Sequence, residues 1–191
     1  MAAGAIRIVD EYATADIKRR IEIILDNYPN FLEIMDGYEE SLKFLIINDR
    51  KVSRRKGRED LGVRIQKSGI SDTTADAAIE RVMLSEAIRS GNMEEELKDM
   101  ECPEQYQREA EVIREMRDDY SLVRSQIKTL PWTEYKVLDS YLNGSHDLLK
   151  LMDETESTYD GVKNRLKRAR NHIRQSTAFY LEKKYSGCCR A

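Results

Sequence analysis

Apolar positions recur at intervals of three and four along most of this chain, and that period predicts helices rather than strands. Thr14 offers a first cap, after which Ile17, Ile21, Ile24, Leu25 and Tyr28 form one stripe that Pro29 interrupts. The segment before it, through Tyr12, either frays or leads into this helix. A second helix is predicted over 30–48, with Phe31, Ile34, Met35, Tyr38, Leu42, Leu45 and Ile46 on one broad face. Two amphipathic helices this close in sequence predict an N-terminal hairpin, and their stripes are core positions without chemistry.

Ser71-Asp72 is placed to cap a helix from Thr73 through about Arg89, with Ala78, Ile79, Val82, Met83 and Ile88 apolar, and Ser90-Gly91 ends it. The acidic stretch 92–104 closes on Cys102-Pro103, a natural boundary. One long helix is then predicted over 105–130, with Ala110, Ile113, Met116, Tyr120, Val123 and Ile127 in line. The same spacing fits a coiled-coil seam, although the run offers few heptads and no clean Leu register. Leu130-Pro131 stops this helix and Thr133 is the predicted cap of the next, where Tyr135, Val137, Leu138, Tyr141 and Leu142 give an apolar face ending at Asn143-Gly144. A short helix over 145–152 carries Leu148, Leu149, Leu151 and Met152. Asp153 to Ser157 is polar and predicts a turn. Ser157 or Thr158 then caps the last helix, and with Ser157 as cap, Asp160 stands three residues on as in a capping box.

Pattern and charge coincide in that last helix. Val162, Leu166, Ala169 and Ile173 form its apolar stripe, while Lys163, Asn164, Lys167, Arg168, Arg170, Asn171 and Arg174 take the rest of the circumference, with no acid between Gly161 and Arg174. A solvated helix face normally mixes both signs, so a one-sign face opposite an apolar stripe points to a polyanion on the outer side. A plain solvated Lys/Arg face is the competing explanation. Helix, short helix, turn, basic helix is the order of a helix-turn-helix, whose last helix enters the major groove with its N-terminal residues against base edges. The helix is expected to continue through Phe179, Tyr180 and Leu181, and the final SGCCRA to be disordered.

Composition supports an all-α class: of 191 residues 35% are charged and 40% apolar, with only three prolines and nine glycines. The net charge of -3 hides an asymmetry. Residues 158–191 carry nine Lys and Arg against two acids, a net of +7, whereas 92–119 carry four against eleven, a net of -7. A further basic run, RKVSRRKGR over 50–58, is expected to be a solvated loop or a weak phosphate contact.

Three cysteines, one alone and two vicinal, make neither a disulfide framework nor a metal knuckle, so a reduced cytoplasmic setting is expected, without structural zinc or cofactor. With no leader and no apolar run of eighteen, neither export nor a membrane partner is expected. Enzymatic patterns are missing too. Gly57, Gly62 and Gly69 lack a Gly-Lys-Ser/Thr ending, and the sequence holds no glycine-flanked serine and no His-Cys pairing, so catalysis is not expected.

The run EYKVLDSYLNG followed by VKNRLKRARNHIR resembles region four of bacterial sigma factors, over about the last third of the chain. One departure is a stretch between the short helix and the last helix about three residues longer than the usual tight turn. The wider layout is similar to the late-gene transcriptional regulators of phages and prophages of Gram-positive bacteria, the RinA and ArpU-like group. There the helix pair, the basic run, IQKSGISDTTADAAIERV and the C-terminal helices follow in the same order.

These resemblances imply a sequence-specific DNA-binding transcription regulator, with double-stranded DNA and bacterial RNA polymerase as partners in the bacterial cytoplasm and a homodimer left open. By position they imply that Tyr159, Asp160, Lys163 and Asn164 face base edges, with Lys163 suited to guanine and Asn164 to adenine. Lys167, Arg168, Arg170 and Arg174 would lie along phosphates, and Val162, Leu166 and Ile173 in the core. The expected division is a helical N-terminal region over 1–129, breaking near 50–72 or 90–104, a helix-turn-helix domain over 130–185 and a tail over 186–191. Two other classes stay in play. A helical protein-interaction adaptor leaves the one-sign helix unexplained, and an RNA-binding protein lacks stacking aromatics beyond Tyr159.

Overall fold

A computed structural model describes residues 2–56, 73–98, 100–144 and 147–187, and every regular element among them is helical. In order these are α1 (Ala2–Thr14), α2 (Ile17–Asp26), a 3-10 turn (Tyr28–Asn30), α3 (Phe31–Lys56), α4 (Thr73–Ser90), α5 (Pro103–Ile127), α6 (Trp132–Asn143), α7 (Leu148–Thr155) and α8 (Tyr159–Gly187). The all-α class follows the three-and-four spacing. The last two residues of the basic run, the first part of IQKSGISDTTADAAIERV, the Ser71-Asp72 cap, the Ser145 start of the short helix and the Cys188-Cys189 tail lie outside the described residues.

The chain forms two compact units, one of Met1–Ile34 with Met116–Ala191 and one of Met35–Glu115. In the first, α8 packs against α2, α6 and α7, α6 packs against α7, and α1 packs against α2. Ile21, Ile24, Val137, Leu138, Val162, Ala169 and Ile173 are buried there. A fully buried aliphatic side chain of this size contributes on the order of 1.5–3 kcal/mol relative to exposure. Phe31 and Tyr120 stack with ring centroids 5.5 Å apart, and Tyr28 meets the same Tyr120 ring at 5.4 Å.

A buried polar cluster ties four helices of this unit together. Asp119 of α5, fully buried, accepts from the Tyr12 hydroxyl of α1 at 2.5 Å, from Lys184 Nζ at 3.0 Å and from the Tyr185 hydroxyl at 3.3 Å. Arg20 of α2 donates to the Tyr185 oxygen at 2.7 Å and lies over the Tyr12 ring. A carboxylate out of water is tolerated only when its lone pairs are satisfied, and here three donors converge on it. Burial first, then the Asp119 charge, pushes the Tyr12 phenol far above its ordinary value.

The second unit is centred on Leu42 and Ile46 of α3, Leu84 and Ile88 of α4, Met93 and Leu97, and Ala110 and Ile113 of α5. Glu39 and Lys43, one turn apart on α3, are both buried and pair at 2.7 Å. Gly91 ends α4 at φ +79°, its amide donating to Ala87 O, and a side chain there would collide with the Arg114 guanidinium.

Several local expectations change. Asp16, not Thr14, caps α2, because its carboxylate accepts from the Arg19 amide at 2.8 Å whereas the Thr14 hydroxyl bonds back to its own helix. The first segment is fully helical as α1. The second helix runs eight residues past Asn48, so Arg50 to Lys56 of the basic run are helical rather than loop. Arg50 there pairs with Glu80 at 3.0 Å and with Glu96, so it serves the fold of the second unit. Leu45 is exposed, since the face through Leu42 and Ile46 is completed by Glu39 and Lys43 instead. Among the described side chains of α4, Leu84, Ala87 and Ile88 are buried, and Ile79, Val82 and Met83 are exposed. Pro103, free of any amide to satisfy, starts α5.

Candidate nucleic-acid interface

Pro131, not Thr133, stands at the N-cap of α6, its carbonyl accepting from the amides of Glu134 and Tyr135 at 2.9 Å each. Gly144 follows the last turn, where a Cβ would fall 2.5 Å from the Ser140 carbonyl oxygen. Asp147 caps α7 by accepting from the Leu149 amide. That helix ends later than its sequence predicts. Thr155 Oγ1 donates to Leu151 O at 2.6 Å, and Glu156 takes the left-handed conformation at φ 48°, donating its amide to Met152 O.

Only Glu156, Ser157 and Thr158 therefore separate α7 from α8. The three residues that seemed to lengthen the turn are helical. Thr158 caps α8, its hydroxyl accepting from the Gly161 amide at 3.2 Å, so no Ser157–Asp160 capping box forms. Ser157 donates instead to Thr155 O and accepts from Arg165 Nη1 at 3.1 Å, which fastens the turn to the first part of α8.

Along α8, Val162, Leu166, Ala169, Ile173, Thr177 and Leu181 are buried, one residue per turn on the face toward the unit's interior. Tyr159, Asp160, Lys163, Asn164, Lys167 and Arg168 are all exposed. No ion pair engages Lys163, Lys167 or Arg168 among the described residues. With 3.6 residues per turn, Asp160, Asn164, Lys167, Arg168 and Asn171 project from the sector opposite the buried stripe, with Lys163 at its edge. Three cations without an ion pair among the described residues, two amides and Asp160 thus share the outer side of the helix, where Asn171 accepts from Arg174 Nη1 at 3.0 Å.

Arg170 and Arg174 are placed differently. Arg170, half-buried, donates to Asp26 Oδ1 at 2.7 Å and to Glu22 Oε2 at 3.3 Å. Arg174 pairs with Glu22 through both its Nε and its Nη2. The hydrogen bond from Arg174 comes first among the effects that lower the Glu22 carboxyl below its ordinary value, and the same bond raises Arg174. The basic row expected along 167–174 therefore divides: its first half faces outward and its second half is joined to α2. Spacing hinted at this partnership, because Glu22 and Asp26 on α2 and Arg170 and Arg174 on α8 both stand four apart, off their apolar stripes.

Arg165 also escaped the sequence reading. Its position beside the stripe makes it look like one more surface cation, and only the fold brings Ser157 within its reach. Among the described residues, no group of three or more His, Cys, Asp or Glu is arranged to hold a metal ion, and no helix is long and apolar enough to cross a membrane. No family model matches this sequence, and neither a curated protein nor a solved structure matches it.

Proposed function

We propose that the protein is a sequence-specific DNA-binding transcription regulator, sigma-factor-like and of the phage or prophage late-gene type, that works with bacterial RNA polymerase. The observation that carries this reading is the exposed sector of Lys163, Asn164, Lys167 and Arg168, none of them in an ion pair among the described residues, on a helix whose other side packs against α6 and α7. A rigid helix with cations and amides on one face matches the width and chemistry of a major groove. Tyr159, Asp160, Lys163 and Asn164, in the first turns after the Thr158 cap, are the base-facing set. Lys167 and Arg168 are the phosphate-facing set. Arg170 and Arg174 would join them only by giving up Glu22 and Asp26.

The test is recovery of bound duplexes from a random-sequence pool, with and without bacterial RNA polymerase. An enriched motif is expected in at least one condition and loss of enrichment with Lys163→Ala/Asn164→Ala. Recovery without any motif in either condition contradicts the reading.

A further inference from the structure

Trp132 opens α6 and is 72% exposed, although an indole gains as much as any side chain from burial. Its ring is not loose. It stacks on Tyr135, one turn along, with centroids 5.9 Å apart and planes at 26°. Tyr135 in turn lines a cavity of about 260 Å³ together with Tyr28, Leu32 and Tyr120. Arg124 of α5 and Lys128 just beyond its end line the same cavity, and neither has an ion-pair partner among the described residues. All of these residues belong to the first compact unit, and none lies on the outward sector of α8.

We infer that this end of α6 is a docking site for a peptide segment of a partner protein that carries a carboxylate next to an apolar or aromatic side chain. The apolar side chain would lie on the Trp132–Tyr135 stack, and the carboxylate would sit between Arg124 and Lys128. Exposed Trp and Arg are the residues that most often dominate protein interfaces. Charge decides the kind of partner. Asp139 lines the cavity, accepting from Asn143 Nδ2 at 2.9 Å, and Glu134 follows Trp132 by two residues. A nucleic-acid backbone would place successive phosphates against these acids, whereas one carboxylate can meet the two cations and avoid them. Burial pushes the Tyr28 phenol up to about 12, so it adds no negative charge to the cavity.

Trp132 is the single tryptophan of the chain, so its emission reports on this site directly. A library of displayed random 12-residue peptides, about this length being enough to span the stack and cavity, is selected against the full chain. Enriched peptides are then synthesised with a fluorophore and titrated by anisotropy, and unlabelled by Trp132 emission. Enriched sequences are expected to place Asp or Glu beside Trp, Phe, Leu or Met and to change Trp132 emission saturably. Arg124→Ala and Lys128→Ala should each weaken binding about tenfold, and Trp132→Ala should remove it. Because Trp132 is exposed, its variant should keep the wild-type circular dichroism and melting temperature; Arg124→Glu provides a second variant by reversing the charge.

Absence of enrichment relative to Trp132→Ala overturns the inference. So does enrichment of basic peptides, or binding that ignores the Arg124 and Lys128 substitutions. If instead a short single-stranded oligonucleotide quenches Trp132 with the same dependence on Arg124, the site takes nucleic acid and the peptide assignment is wrong. Lys163→Ala/Asn164→Ala should leave peptide binding unchanged, which separates this inference from the DNA reading.

Discussion

The guanidinium of Arg170 donates to Asp26 Oδ1 at 2.7 Å, joining helices 144 residues apart in sequence. Together with the neighbouring pair of Arg174 and Glu22, it joins the middle of α8 to α2, whereas Lys167 and Arg168, earlier in the helix, have no ion pair among the described residues. Both pairs are partly open to solvent, so each contributes at most about 1 kcal/mol.

The seam predicts a pH dependence. Glu22 has a folded-state pKa lowered by Arg174, so its contribution is fully present above the ordinary glutamate value of 4.5 and is lost as pH falls through the lower folded value. Glu22→Gln should melt below wild type at pH 7. The difference should shrink below pH 4.5, as paired thermal melts across that range will check. A difference that persists unchanged to the acid limit would dissociate Glu22 ionisation from the seam.

Removal of the Asp119 carboxylate should be far more costly than removal of either seam pair. Asp119→Ala removes the shared acceptor of the Tyr12 hydroxyl, Lys184 and Tyr185, leaving Lys184 only Asp118 and the Tyr12 hydroxyl facing a buried void, at a cost of about 3–5 kcal/mol. Tyr12→Phe, which deletes one donor but keeps the ring, should cost about 1–3 kcal/mol. Denaturant unfolding of both variants measures the order, and a larger loss for Tyr12→Phe would contradict it.

The two faces of α8 should separate stability from binding. Leu166→Ala is predicted to destabilise the unit that contains it by about 2–5 kcal/mol, because the side chain is buried beneath the helix. Lys167→Ala, one residue on and exposed, should leave unfolding nearly unchanged and weaken DNA binding. Melts and binding titrations on the same two proteins decide between the faces.

Salt titration counts the phosphates. Each one neutralised changes the logarithm of affinity by about 0.9 per logarithm of salt, so Lys167 and Arg168 alone predict a slope of about -2, or nearer -3 with Lys163 included. A slope of about -4 or steeper would mean that Arg170 and Arg174 leave Glu22 and Asp26 for the DNA. If the slope instead stays at about -2 to -3, the double substitution Glu22→Gln/Asp26→Asn should release both arginines and steepen it toward about -4.

Elements governed by local rules were legible in the sequence. The three-and-four stripes of α2, α5 and α8 named Ile21, Ile24, Ile113, Met116, Val162 and Leu166 as buried, and they are. Helix ends were less so, because Thr14 and Asp16, or Ser157 and Thr158, are equally good caps by composition and differ only in which backbone amide lies within reach. The same limit hid the extent of α7, whose last residues 153–155 are polar and carry no apolar signal. Leu45 looked like core because a broad apolar face was assumed, whereas the Glu39–Lys43 pair takes the space beside Leu42. Within the candidate interface the sequence named the outward residues but not the α2 acids. The matching four-residue spacing of Glu22/Asp26 and Arg170/Arg174 is compatible with a pairing but does not by itself bring Glu22 beside Arg174.

If the outward sector of α8 reads base sequence, Asn164 is the side chain whose removal should reveal it. Asn164 is exposed early in the helix, off the Val162 and Leu166 stripe, and its amide can pair bidentately with an adenine edge. The measurement is a pair of titrations for wild type and Asn164→Ala, on the enriched duplex and on a scrambled duplex at one fixed salt concentration. The variant is predicted to lose about 1–3 kcal/mol on the enriched duplex and little on the scrambled one, narrowing the gap between them. Equal losses on both duplexes, or no loss on either, would contradict sequence reading by this face.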